Sequence, residues 1–198
     1  MLKLESIASQ FIFEALWRVA YCTFIFIIVY RVEGRDFSSL SITFKALPMQ
    51  ILIGVAIGLA LIAPIIYNVF IAKSMSPRIT GLNGELTLIK ILPYILNELI
   101  LVGFTEELIF RGFLFNRISE VSNVWVGLIV SSVLFGLVHY PLSGDIYQTC
   151  LAMGIGCLFV LLMMAFPSRV SIISLAVAHG LYDSGITILV YTCYMLHK

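Results

Sequence analysis

Thr105-Glu106-Glu107-Leu108-Ile109-Phe110-Arg111 sets two adjacent carboxylates and an arginine in the middle of a chain that is otherwise almost wholly apolar. A charge inside lipid costs at least about 2.5 kcal/mol, so the spacing must show how that cost is offset. On a helix, Glu107 and Arg111 stand one above the other at i and i+4 and can pair. Glu106 points about 100° away and finds no partner within that turn. The stretch thus separates into a paired carboxylate and a free one. Taken alone, it is equally well read as the polar start of a helix at the membrane edge.

Two further polar points change that balance. His139 ends the apolar run Val130-Ser131-Ser132-Val133-Leu134-Phe135-Gly136-Leu137-Val138. His179 and Asp183 stand at i and i+4 in Ala178-His179-Gly180-Leu181-Tyr182-Asp183. A lone histidine is more often a satisfied buried residue than a catalyst. Three separate apolar segments that each carry a Glu, a His or a His/Asp pair are harder to explain as packing. Intramembrane ionisable groups face a bundle interior or a water-filled cavity and mark function by default.

Composition fixes the class. Of 198 residues, 61% are hydrophobic and 12% charged, with a mean hydropathy of +1.05. A soluble domain runs about half apolar and about a quarter charged. The expected fold is all-α: a polytopic membrane bundle of about six to seven transmembrane helices at about 20 residues each. Residues 1–198 form a single integral membrane domain, with no room for a sizeable soluble one. A net charge of +1 argues against a nucleic-acid partner. Cys22, Cys150, Cys157 and Cys193 lie in apolar segments without metal-ligand spacing and read as packing. The first apolar run is followed by Arg31-Val32-Glu33-Gly34-Arg35 with no small-residue cleavage pattern, so it reads as a retained helix.

In chain order, residues 1–10 form an amphipathic lead carrying Lys3 and Glu5. A first span covers 11–30, with Glu14 and Arg18 spaced to pair. A polar, basic loop over 31–45 has room for a short surface helix. A second span covers 47–72, with Gly54 and Gly58 set for close helix approach and Pro64 as a kink. Residues 73–85 form a loop, with Ser76-Pro77 and Asn83-Gly84 as turn signals. A third span starts near Leu88, carries Pro93, Asn97 and Glu98, runs through the Glu106–Arg111 motif and closes at Arg117. Glu98 lies about two α-helical turns before Glu106 and is a candidate supporting group. A fourth span covers 124–139 and stops at Tyr140-Pro141, with Asp145 in the turn beyond. A fifth covers 147–166 and ends at Pro167. A sixth starts near Val170 and carries His179 and Asp183. Residues 186–196 either continue it or form a seventh helix, and His197-Lys198 reads as a solvated end. Counting Arg31, Arg35, Lys45, Arg111, Arg117 and Arg169 on one side against Lys3, Lys73, Arg78 and Lys198 puts the motif side in the cytoplasm.

The polar residues describe hydrolysis. Glu106 is placed to take a proton from water, and His139 to share that water or pass its proton to a leaving amine. His179 and Asp183 can hold each other's tautomer, or donate to a developing oxyanion if Asp183 keeps a proton. Glu107 and Arg111 fix the helix that presents Glu106. One Glu and two His also match a zinc pattern with a position left for water. Glu106, His139 and His179 are then the ligands, although HExxH is absent.

Glu106-Glu107-x-x-x-Arg111, Phe135-x-x-x-His139 and His179-x-x-x-Asp183, in that order on successive apolar segments, resemble the motifs of the CPBP family. These are the CAAX-protease and bacteriocin-processing membrane proteases, also called the ABI family, whose eukaryotic members resemble the Ras-converting CAAX endopeptidase. The resemblance covers about residues 88–190. It implies an all-helical intramembrane endopeptidase acting on a membrane-associated protein or peptide, with its site in a cavity open to one face. It further implies that Glu106 and His139 activate water and that His179 and Asp183 form the oxyanion site. Members are often labelled metalloproteases, yet the glutamate–water reaction needs no cofactor. Many members carry Asn where this chain has Asp183, and an Asp donates only while protonated. The expected location is a bacterial inner membrane, in several passes. Two rival readings remain: a non-catalytic membrane partner, such as a self-immunity or chaperone-like protein, and a small proton-relay transporter, for which no internal repeat is visible.

Overall fold

Among the described residues, six helices are long and apolar enough to cross a bilayer, at 18 to 34 residues each, against about 20 needed for a hydrocarbon core of about 30 Å. The computed structural model describes residues 2–72 and 86–196. Helix α1 is Leu2–Ile27 with a π-helical turn Ile28–Val32, and α2 is Leu47–Ile66 with a π-helical turn Tyr67–Ile71. Helix α3 runs Leu88–Val121 without a break. Helices α4, α5 and α6 are Val124–Ser143, Ile146–Ala165 and Ile172–Leu196. Among the described residues there is no strand. The chain is an all-α polytopic bundle, as its composition predicts.

Helix α6 is the element the others surround. Over half of its apolar window, 56%, is buried, against 11% for α1, and Ile172, Leu175 and Ala178 have no exposed surface. Lipid gives helices no hydrophobic reason to associate, so close backbone approach carries the packing. Gly54 and Gly58 do this between α2 and α6: a Cβ there would stand 2.5 Å from the Ser174 carbonyl oxygen and 2.9 Å from that of Ala178. Gly103 and Gly180 do it between α3 and α6. A Cβ on Gly103 would lie 2.5 Å from the Ala176 oxygen, and one on Gly180 would lie 2.8 Å from the Glu98 oxygen. This second contact brings the Glu106–Glu107 turn against His179.

Several boundaries differ from expectation. Helix α4 does not stop at Tyr140-Pro141 but continues to Ser143. A proline in the last turn forfeits only one backbone bond, and the stop is made instead by Gly144 at φ 63°, whose N–H reaches the Tyr140 oxygen at 2.7 Å. Asp145 is not a plain turn residue: it caps α5, accepting from the Tyr147 amide at 2.8 Å. Residues 186–196 continue α6 and form no separate helix, which leaves six candidate spans among the described residues. The expected surface helix is one 3₁₀ turn, Phe37–Leu40, and its Leu40 is fully buried against α3. Helix α2 continues through Pro64 and then widens into its π turn, where the Asn68 side chain donates to the Pro64 oxygen at 2.8 Å. The segment 73–85 and the end 197–198 lie outside the described residues.

The α1–α2 connection and the end of α3 share one face of the bundle. Arg117 binds Glu33 at 2.5 and 2.8 Å, and Arg35 binds Glu120 at 2.6 and 2.7 Å. The Glu120 carboxylate raises the Arg35 pKa above its ordinary value, first through that hydrogen bond. Arg111 is not a loop charge, because it is wholly buried. Taking it out of the count leaves the two faces nearly balanced and the orientation argument without force.

Gly103→Ala should lower stability by about 1–3 kcal/mol, the usual cost of overpacking. Gly154→Ala should change little, since nothing lies within 4 Å of a Cβ there. Thermal unfolding of both variants in the same detergent reads the difference.

Candidate active site

The centre is built on a stretch of α3 whose winding is not uniform. A π-helical turn over Glu98–Val102 precedes the short α-helical piece Gly103–Glu107, and a longer π-helical stretch over Leu108–Phe115 follows it. Such wide turns cluster at functional sites. They also shift the phase between residues on either side. Glu98, the candidate supporting group, accepts from the Thr187 hydroxyl with both oxygens, at 2.9 Å each, one turn of α6 beyond Asp183 and within electrostatic reach of it.

Glu107 and Arg111 pair as their spacing predicts, at 3.0 Å with neither side chain exposed. The same oxygen, Oε1 of Glu107, also accepts from Nδ1 of His179 at 2.8 Å. The Arg111 guanidinium lies 4.0 Å from the centre of the Phe135 ring and 5.5 Å from that of Phe159. A desolvated cation over aromatic faces gains about 2 kcal/mol. Phe135 also meets His139 and His179 edge to face, at centroid distances of 4.8 and 5.7 Å.

Nδ1 of His139 lies 2.7 Å from the Phe135 carbonyl oxygen. A carbonyl only accepts, so Nδ1 carries the hydrogen, and in the neutral ring Nε2 keeps its lone pair. That Nε2 faces Glu106. The Oε2 atom of Glu106 is buried, accepts no hydrogen bond from the described residues, and stands 3.8 Å from Nε2 of His139 and 3.8 Å from Nε2 of His179. Nε2 of His179 is also 3.2 Å from Oδ2 of Asp183. Both nitrogens of His179 thus face carboxylate oxygens, and the contact with Asp183 requires a proton between the two groups.

The structure brings together all seven residues singled out in the sequence: Glu106, Glu107, Arg111, Phe135, His139, His179 and Asp183. His139, His179 and Asp183 form the polar end of a cavity of about 250 Å³ whose remaining wall includes Leu151, Ile155 and Ile186. Glu106 faces a second cavity of about 380 Å³ on its other side, with Arg18 and Thr105. Two contacts were not legible beforehand. One is His179 on Glu107. The other is Arg18 of α1, whose Nη1 lies 3.5 Å from Oε1 of Glu106, so Glu106 is not the unpartnered carboxylate expected. Arg18 does not pair with Glu14; Glu14 accepts from Asn97 at 2.9 Å instead. The available signal was that an arginine in a lipid span marks function by default.

The zinc reading needs Glu106, His139 and His179 to converge on one point. His179 commits Nδ1 to Glu107 and Nε2 to Asp183. Among the described residues, no group of three His, Cys, Asp or Glu side chains is arranged to hold a metal ion. A zinc ion held by these three residues would need His179 Nε2 released from Asp183, and the reaction proposed for the site uses the side chains alone.

The sequence pattern of the family described as type II CAAX prenyl endopeptidase Rce1-like matches residues 88–185, the stretch that holds all seven residues. The chain belongs to the CAAX-protease family. No curated protein and no solved structure matches it. Membership makes it a CAAX-type intramembrane endopeptidase, and the six spans make it an integral, multi-pass membrane protein.

Arg111→Ala should destabilise the protein by about 3–5 kcal/mol, because it strands a buried carboxylate. Removing Glu107 as well should recover part of that loss. Denaturation of the two variants beside wild type checks both signs.

Proposed function

We propose that this CAAX-family protease hydrolyses a peptide bond in a membrane-associated protein or peptide with water activated by Glu106 and His139. The observation that carries this reading is the placement of Glu106 Oε2 at 3.8 Å from both imidazole Nε2 atoms. Each span is too long for a direct hydrogen bond and suits a water between the groups.

Glu106 takes one proton from the water, and the oxygen so freed bonds to the substrate's carbonyl carbon. The carbonyl electron pair moves to its oxygen, where the proton shared by His179 Nε2 and Asp183 stabilises the new negative charge. Collapse of that intermediate breaks the carbon–nitrogen bond. The proton held by Glu106 passes to the leaving nitrogen, with His139 Nε2 as its relay. One water is consumed, and a carboxylic acid and an amine are released, the acid's proton then passing to the amine in solution. Glu107 orients His179 through Nδ1, and Arg111 holds Glu107. The mostly apolar cavity beside His139 suits an apolar part of the substrate.

Glu106→Gln keeps the shape and removes the base, so turnover should fall by at least about 10²–10⁴-fold in a protein that still folds. Cells making wild type and cells making Glu106→Gln are compared by mass spectrometry of membrane and secreted protein termini. Termini present only with wild type are expected. Identical termini, with both proteins folded and the host's own substrates present, would overturn the reading in favour of a non-catalytic membrane partner. A chelator that abolished cleavage, with activity restored by zinc, would overturn the metal-free step instead. Asp183→Asn should stay within about tenfold of wild type, since an amide donates without a proton of its own. Its complete loss of activity would show that Asp183 must be ionised to orient His179.

A further inference from the structure

Helix α1 lies wholly outside the stretch that matches the family pattern, yet it touches the site. Glu14, Arg18 and Cys22 repeat at i, i+4 and i+8 and share one helix face. All three meet α3. Glu14 accepts from Asn97 at 2.9 Å, Arg18 reaches Glu106 at 3.5 Å, and the Cys22 thiol lies 3.6 Å from the Thr105 hydroxyl. Two of these contacts fall on Thr105 and Glu106, the turn that faces the histidines.

Arg18 divides the two oxygens of Glu106. Oε1 faces the guanidinium, within the cavity of about 380 Å³, and Oε2 faces His139 and His179. A glutamate's terminal torsion is broad and roughly two-fold, so nothing in Glu106 itself keeps one oxygen on the histidine side. Helix anchoring alone would be met by Glu14 and Asn97. It does not account for an arginine side chain only 23% exposed in a lipid-spanning helix, whose one anionic partner among the described residues is Glu106.

We propose that Arg18 is a positioning residue for the hydrolytic step: it holds Oε1 of Glu106, so that Oε2 stays turned to the two imidazoles. This rests on the reaction proposed above. Displacing a reacting group by about 1 Å can cost about 10²-fold in rate.

The test uses the full chain in proteoliposomes and a quenched fluorescent peptide spanning a cleavage site read from the wild-type-only termini. Arg18→Gln should lower kcat by about 10- to 100-fold and leave KM within about twofold. Arg18→Lys keeps the charge and should recover a large part of the loss. Should Arg18→Gln not accumulate, Arg18→Met, which suits lipid, serves in its place with the same expectation. Glu14→Gln weakens the neighbouring anchor of α1 and should lower Tm while kcat stays within about twofold. Replacing Arg18 should also change Tm less in the Glu106→Gln background than in wild type. A kcat for Arg18→Gln within twofold of wild type, an equal kcat loss in Glu14→Gln, or a Tm change independent of Glu106 would each overturn the proposal. If the wild-type chain cleaves nothing, the reaction itself falls, and the role of Arg18 with it. If wild type cleaves and Arg18→Gln cleaves as fast, only the role of Arg18 falls.

Discussion

A guanidinium with no exposed surface, in a helix that crosses lipid, is the constraint on which the rest of this molecule depends. Arg111 is tolerable there only because Glu107 lies 3.0 Å away and two phenylalanine rings cover its faces. A buried ion pair of this kind is weak support for stability in itself. Losing either partner is what costs heavily, so the pair restrains everything packed around it. Glu107 cannot move without stranding Arg111. His179 is tied to the same carboxylate oxygen, and Phe135 lies against both the guanidinium and the two imidazoles. Through one ion pair, parts of α3, α4 and α6 acquire fixed positions.

Around that fixed centre the polar groups form layers. Arg111, Glu107 and His179 are almost fully buried, while Glu106, Asp183 and His139 are 20%, 28% and 32% exposed. The inner groups meet through Oε1 of Glu107, and the outer ones face the two cavities. This gradient lets a membrane protein keep charged groups without flooding its interior: the deep charges are neutralised in pairs, and the wetter ones remain for chemistry. Glycine contacts set the scale. With a Cβ on Gly103 or Gly180, α3 and α6 could not approach closely enough for Glu107 to reach His179.

The sequence exposes the local part of this design and hides the long-range part. Glu107–Arg111 and His179–Asp183 were legible because helical i, i+4 geometry follows from spacing alone. Gly54 and Gly58 were legible for the same reason. The convergence of His139 and His179 on Glu106 was suggested by three polar points on separate spans, but which atoms meet depends on tertiary packing. Arg18 was misread because Glu14 offered it a local partner, and only the fold shows that Asn97 takes Glu14 instead. The widened turns of α3 left no trace because that stretch is apolar on nearly every side, so no periodicity marks its winding. Proline misled at Tyr140-Pro141, where its penalty is small in a last turn that Gly144 closes.

Those widened turns imply something about which changes this helix can absorb. A π turn amounts to one residue in excess of the α repeat. Deleting a single residue from Glu98–Val102 would let that turn close to regular α winding and leave Glu106 and Glu107 at nearly the same angle to α6, because the wide turn already absorbs the extra residue. The length of α3 and its angular setting are adjusted separately, as on a vernier. Its exposed positions, such as Leu96 and Ile100, are open to substitution by other apolar side chains, whereas Gly103 is held by the close approach of α6.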